Sequence, residues 1–324
     1  MARAKSEPAA PKEPPRFFTL IPTDTKIDFV RLAPMMTAIS LGLCAISLLL
    51  LWTRGLNYGT DFAGGALVQV RFDTATTAGD VRGALDQAKL QGAVVQDIGA
   101  EHREFEIRMA DIKEGQAETA SNSVRSALQG KFGEGSYEVL RVDTVGPKVG
   151  RDLWRDATLA VIAATILMAV YIAIRFDFRF GLGAAIALAH DVIVTIGALV
   201  LTQMDFDLTT VAALLTVVGF SVNDTVVISD RIRENLRLRR KDDLGTIINA
   251  SVNETLSRTI ITSGTAIMVV IALFLLGGDV IHSFAFALLV GFVAGVYSSV
   301  YVAAPIVLWM ERWWKRRPAP ARAK

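Results

Sequence analysis

The chain is poor in residues that ligate metals or form crosslinks. Of 324 residues one is cysteine, Cys44, and three are histidine, His102, His190 and His282. A single thiol excludes an internal disulfide and a cysteine metal cluster, and three scattered histidines argue against a multi-histidine metal site. No cofactor is expected. The chain also lacks a strong charge of either sign, its formal net charge being +2, and nothing in it points to a nucleic-acid partner. Two short segments, QMDFD (203–207) and GGDVIH (277–282), contain no Lys or Arg at all.

What the chain has in quantity is apolar residues, 52% of the total. They gather into blocks at 33–53, 157–174, 180–202, 208–229, 259–276 and 283–310. Blocks of about 20 residues cross a hydrocarbon core about 30 Å thick. The pattern predicts six transmembrane helices. The first block is too long for the apolar core of a signal peptide, and WTRGLNYG after it has no small-x-small cleavage pattern, so it is expected to remain as an anchor.

Lys and Arg set the expected orientation. They crowd the stretch before block one, the turn RFDFRF (175–180), the 230–258 loop and the 311–324 tail. With both termini in the cytoplasm, every short loop obeys the rule. Residues 1–32 then form a cytoplasmic leader, disordered over the Pro-rich SEPAAPKEPPR, and 54–156 form an external domain. Within it, ALVQVRF (66–72) alternates as a strand, and TAGDVRGALDQAKL (77–90) has helical spacing behind a threonine cap. AVVQDI (93–98) and EFEIRM (104–109) read as strands, 115–132 as a helix and SYEVLRVDTV (136–145) as a strand. The order β-α-β-β-α-β is that of a ferredoxin-like α+β domain. His102, among Glu101, Arg103 and Glu104, reads as a solvated turn.

The informative residues are polar ones inside apolar blocks. An ionised Asp at a helix centre costs about 2.5–3.5 kcal/mol on insertion scales. Asp224 incurs that cost unless it is neutral, paired or wetted. Burial disfavours a charged carboxylate and a neighbouring cation favours it, so a carboxylate with an intermittent cationic partner is suited to relaying protons. Arg258, at the start of block five, falls in the same membrane layer. Two plainer readings stand beside this one: Arg258 snorkelling to headgroups, and Asp224 held for packing by Ser221 one turn earlier. His190 and Asp191 supply a second polar spot in block three, as an extension of a proton path or as bonds between helices. GFVAG (291–295) fits the G-x-x-x-G spacing of closely packed helices.

Four segments in order resemble the SecD/SecF family of bacterial protein-export membrane proteins. YGTDFAGGALVQVRF (58–72) is similar to its entrance motif, carried here by Tyr58, Gly59, Asp61, Phe62, Gly64 and Gly65. GFSVNDTVVISDRIREN (219–235), with Ser221, Asn223, Asp224 and Thr225, resembles the fourth-span signature of the shorter, SecF branch. ALAHDVIVT (187–195) and ETLSRTIITS (254–263) resemble its third and fifth spans. The resemblance implies an α-helical polytopic bundle of the RND superfamily, its six helices facing six of SecD in a pseudo-symmetric pair. It implies a non-enzymatic subunit in the inner membrane, contacting lipid, SecD, the SecYEG channel and the exported unfolded polypeptide. It also places the family's proton-handling residues on Asp224 and Arg258. The alternative is half of an RND-type exporter. An aspartyl intramembrane protease is excluded by the missing G-x-G-D, and a serine protease lacks the glycine that usually follows its nucleophile.

Overall fold

The computed structural model describes residues 25–90, 93–98, 101–109, 117–278 and 281–315. The expected leader lies outside them through residue 24, as does the end of the basic tail. Among the described residues, six helices are long and apolar enough to cross a membrane.

The first, α1 (Phe29–Arg54), starts behind Asp28, whose carboxylate accepts the Arg31 amide at 3.0 Å. After Gly55 come a short strand, β1 (Asn57–Tyr58), one helical turn, α2 (Thr60–Ala63), and β2 (Gly65–Phe72). The elements α3 (Ala78–Gln87), β3 (Val94–Ile98), β4 (Glu104–Met109), α4 (Ala117–Phe132) and β5 (Tyr137–Val145) follow. The strands form an antiparallel sheet in the order β3-β4-β2-β5, the ferredoxin-like arrangement expected from the element order. Strand alternation explains the layers. Ala66, Val68, Val70 and Phe72 of β2 pack with Phe105 and Ile107 of β4 against Leu85, Val124 and Leu128 of the two helices. The opposite face carries Gln69, Arg71, Glu104, Glu106 and Arg108. Thr77 caps α3, as its sequence suggests. His102 is an exposed turn residue at φ 52° whose Nδ1 meets the Asp97 carboxylate.

The chain returns to the bundle through α5 (Pro147–Arg175), whose proline occupies the first turn, where its missing N–H costs nothing. Then come α6 (Phe178–Thr202), the short strand β6 (Asp205–Phe206), α7 (Leu208–Leu238) and α8 (Leu244–Leu276). The sixth span is α9 (His282–Ser298) continued by a π-helical turn (Ser299–Ala303) and α10 (Ala304–Lys315). Because the spans alternate in direction, the sheet, β6, the end of α8 at Leu276 and the start of α9 at His282 share one side of the bundle.

The segment expected as a loop, 230–258, is mostly helix. α7 runs on to Leu238 and α8 begins at Leu244. The charged residues there satisfy one another between two antiparallel helices. Glu254 accepts from Arg231 at 2.5 Å, Arg239 at 2.9 Å and Asn235 at 2.8 Å, and Asp243 caps α8. Charge therefore marks where the spans leave lipid, not where the helices end.

Candidate functional site

Helix α7 is the axis of the site, packed on α6, α8 and α9. Its contact with α9 depends on the two glycines of the G-x-x-x-G segment. A Cβ on Gly291 would lie 2.1 Å from Val217 Cγ2, and one on Gly295 would lie 3.0 Å from Ser221 Cβ. Phe220 and Phe292 stack across the same contact at 3.9 Å. Close approach of α9 places its hydroxyls among the polar residues of α6 and α7.

Asp191 sits at that meeting point and is 0% exposed. Its Oδ2 accepts from Ser221 at 2.6 Å and from Ser298 at 2.8 Å, and its Oδ1 lies 3.0 Å from His190 Nδ1. Three helices are joined through one carboxylate. Ser221 is therefore a partner of Asp191 and not of Asp224, because the Ser221 side chain turns toward α6 and α9. Thr225 bonds Ser299 at 2.9 Å, at the first residue of the π turn. His190 is buried and stacks on Tyr297, and its Nε2 has no partner among the described residues.

Asp224 is 2% exposed and faces α8. Among the described residues its side chain accepts one hydrogen bond, from Ser263 at 2.8 Å. Asp224 and Arg258 lie at equal depth, each about 21 Å along its helix from the side away from the sheet. They form no ion pair, although Arg258 is near enough for its charge to act on Asp224. The Arg258 side chain is exposed on the bundle surface, on the same flank of α8 as Ile261, Thr262 and Thr265. On α7 the neighbouring exposed residues are Ala212, Thr216, Gly219 and Asn223, at successive turns. Small and polar side chains thus line an uncovered helix face beside Asp224.

The entrance motif forms a separate joint on the sheet side. Asn57 and Tyr58 pair in parallel with Asp205 and Phe206, and the Gly59 amide donates to the Phe206 carbonyl at 2.9 Å. A Cβ on Gly59 would lie 3.0 Å from Asp207 Cβ. Asp61 accepts the Leu208 amide at 3.1 Å, and Phe62 packs on Phe206 at 5.7 Å. Gly64 and Gly65 take positive φ, 74° and 108°, where other residues are strained. The motif ties the base of β2 to the start of α7.

Ser263, Ser298 and Ser299 were not singled out by sequence reasoning. The available signal was their presence as hydroxyls inside apolar runs, Ser263 closing the ETLSRTIITS segment and the serine pair following the G-x-x-x-G spacing. Among the described residues no three His, Cys, Asp or Glu side chains are placed to hold a metal ion.

A six-span bundle with two buried carboxylates and a ferredoxin-like domain inserted after the first span defines a multi-pass membrane subunit of a transport system. Comparisons with known proteins narrow the class. Residues 124–313 match the family described as protein export membrane protein SecD/SecF, C-terminal, and residues 49–76 match the SecD/SecF GG motif. The protein translocase subunit SecF of Vibrio alginolyticus is 43% identical over 90% of this chain and 92% of its own. That of Magnetococcus marinus is 46% identical over 93% and 97%. The crystal structure of SecDF, a translocon-associated membrane protein from Thermus thermophilus, matches 91% of this chain with a TM-score of 0.80 at 35% identity. A SecDF structure in a super-membrane-facing form matches with a TM-score of 0.68 at the same 35% identity. This chain spans 39% of the first SecDF chain and 41% of the second. The chain belongs to the SecD/SecF family, and its full-length relatives are SecF subunits.

Proposed function

We propose that the protein is a subunit of the Sec protein-export machinery that works with SecD, and that proton movement through Asp224 drives its cycle. The uncovered face of α7 and α8 is the seat for helices of SecD, and SecYEG and the emerging unfolded polypeptide are the further partners. The membrane is the bacterial inner membrane, with surrounding lipid, both termini cytoplasmic and the sheet domain periplasmic. The Lys- and Arg-rich ends opposite the sheet support that orientation.

One observation carries the reading. Among the described residues, Asp224 is buried with a single hydroxyl donor while Arg258, at the same depth, has no ion-pair partner. Protonated, the carboxyl group is content with Ser263. Ionised, it needs a stronger partner, and Arg258 is the nearby cation. Exchange between these arrangements repacks α7 against α8. One charge crossing 100 mV supplies about 2.3 kcal/mol, enough to bias a two-state equilibrium about fiftyfold.

The test is export through SecYEG in liposomes holding this chain and its SecD partner, with and without an imposed proton gradient. Wild type is expected to export faster with the gradient, and Asp224→Asn to lose that gain while still co-purifying with SecD. A full gain in Asp224→Asn overturns the reading.

A further inference from the structure

The sheet domain is joined to the bundle covalently at two points. Gly64 and Gly65 lead from α2 into β2, and Gly146 leads from β5 into α5. Gly65 and Val145 are paired across neighbouring strands, so both connections leave the sheet at one rung. Two adjacent attachments define an axis about which a domain rocks. A third support is needed to fix its angle.

Arg108 supplies one. It lies on β4, on the opposite side of β2 from β5, and its side chain points from the open face of the sheet. Its guanidinium donates to Asp205 Oδ2, in β6 at the bundle. The two side chains are 12% and 21% exposed. We infer that the Arg108–Asp205 pair is a releasable latch that sets the angle of the sheet domain on the bundle, making both residues positioning residues for the export cycle. The inference deepens the proton-driven reading, since it names the contact through which α7 acts on the domain.

Release is inexpensive because neither partner is stranded. Arg108 also lies 3.5 Å from Glu106 Oε2 and 3.3 Å from Gln96 Oε1, both on the sheet. Asp205 keeps the Asn57 amide on its other oxygen, at 2.8 Å. A buried charge left bare is costly, whereas one handed to a neighbour is not. A polar cleft of about 520 Å³ beside the pair, lined also by Asp61, Asp143 and Thr209, gives the side chains room to part. Transmission follows from the chain. Asp205 pairs with Asn57 in the entrance joint, and Asp207 caps α7 through Thr210. Asp224 lies about 24 Å further along that helix. A shift of α7 therefore moves Asp205 against Arg108.

The test uses the full chain with SecD in liposomes, in a Cys44→Ala background. Spin labels at Ser126→Cys on α4 and Leu276→Cys on α8 report the domain angle as a distance distribution. Arg108→Asp and Asp205→Arg are each expected to broaden the distribution, lowering the docked fraction about tenfold, as loss of a charged hydrogen bond does. The exchanged pair Arg108→Asp with Asp205→Arg is expected to restore it, and gradient-stimulated export with it. A merely structural role does not predict that rescue. An unchanged distribution in the single variants, or an exchanged pair as broad as either, overturns the latch. If reversals broaden the distribution while Asp224→Asn and the gradient leave it unmoved, the latch stands and the proton-driven reading falls.

Discussion

Asp191 and Asp224 are carboxylates buried in the same bundle to nearly the same extent, 0% and 2% exposed, yet their surroundings differ in kind. Asp191 holds partners from α6, α7 and α9 in three contacts of 2.6–3.0 Å. Among the described residues Asp224 has one, from α8. A fully satisfied buried network makes its helices rigid, and a partly satisfied one leaves an alternative arrangement within reach. Burial alone thus does not distinguish the two carboxylates; the count of donors does. Asp191 bolts three helices together, and in the cycle proposed above Asp224 is the residue with a second arrangement, beside Arg258.

The largest effect on stability is therefore expected at Asp191. Asp191→Ala strands Ser221 and His190 Nδ1, at about 1–3 kcal/mol each, leaves Ser298 only its 3.2 Å bond to the Gly295 carbonyl, and should leave little folded protein in detergent. Asp191→Asn, which retains an acceptor, should fall between this and wild type. Next comes Gly291→Ala, whose new methyl group collides with Val217. Overpacking of that kind costs about 1–3 kcal/mol and loosens the α7–α9 contact on which the Asp191 cluster rests. Denaturant midpoints in micelles order these variants. Asp224→Asn should lie close to wild type on that scale, because an amide still accepts from Ser263, while losing the proton-gradient effect on export. A fragile Asp224→Asn beside a robust Asp191→Ala reverses the comparison.

Ser263→Ala sharpens it further. Removing the Ser263 hydroxyl, which donates to Asp224, costs about 1 kcal/mol and releases the carboxyl group toward Arg258. Export by this variant should respond more weakly to the gradient, since one of the two arrangements has lost its anchor. A response equal to wild type would mean that Ser263 only packs.

The sequence exposed the difference between these carboxylates unevenly. The six spans were legible because a hydrocarbon core demands long apolar runs, and the sheet domain because its strands alternate over its helices. Asp224 and Asp191 stood out as costly residues, but their partners did not. Which neighbour a side chain meets depends on helix rotation and separation, and those follow from contacts such as Gly295 against Ser221. Hence the plainer alternative, which pairs Ser221 with Asp224 by spacing along one helix, fails, because Ser221 turns to Asp191 on another. The π turn at Ser299 has no periodic signature, and the 230–258 segment read as a loop because its charges satisfy each other only after folding.

A third carboxylate, outside the membrane, separates donor count from burial. Asp80 is exposed and has two donors, the Thr77 hydroxyl at 2.7 Å and Lys131 at 2.9 Å. Those hydrogen bonds, Thr77 foremost, hold its pKa below the ordinary carboxylate value. A group depressed in the folded state stabilises above its unfolded pKa, and that contribution is lost as pH falls through the folded value. Acid should therefore weaken the tie between α3 and α4, lowering amide protection there relative to neutral pH, and Asp80→Asn should remove that acid sensitivity. The effect is the smallest of the set because water screens an exposed pair. A protection profile in Asp80→Asn that still falls with acid as in wild type would assign the sensitivity to another carboxylate, and not to Glu106, whose pKa burial raises, so that acid favours its folded state.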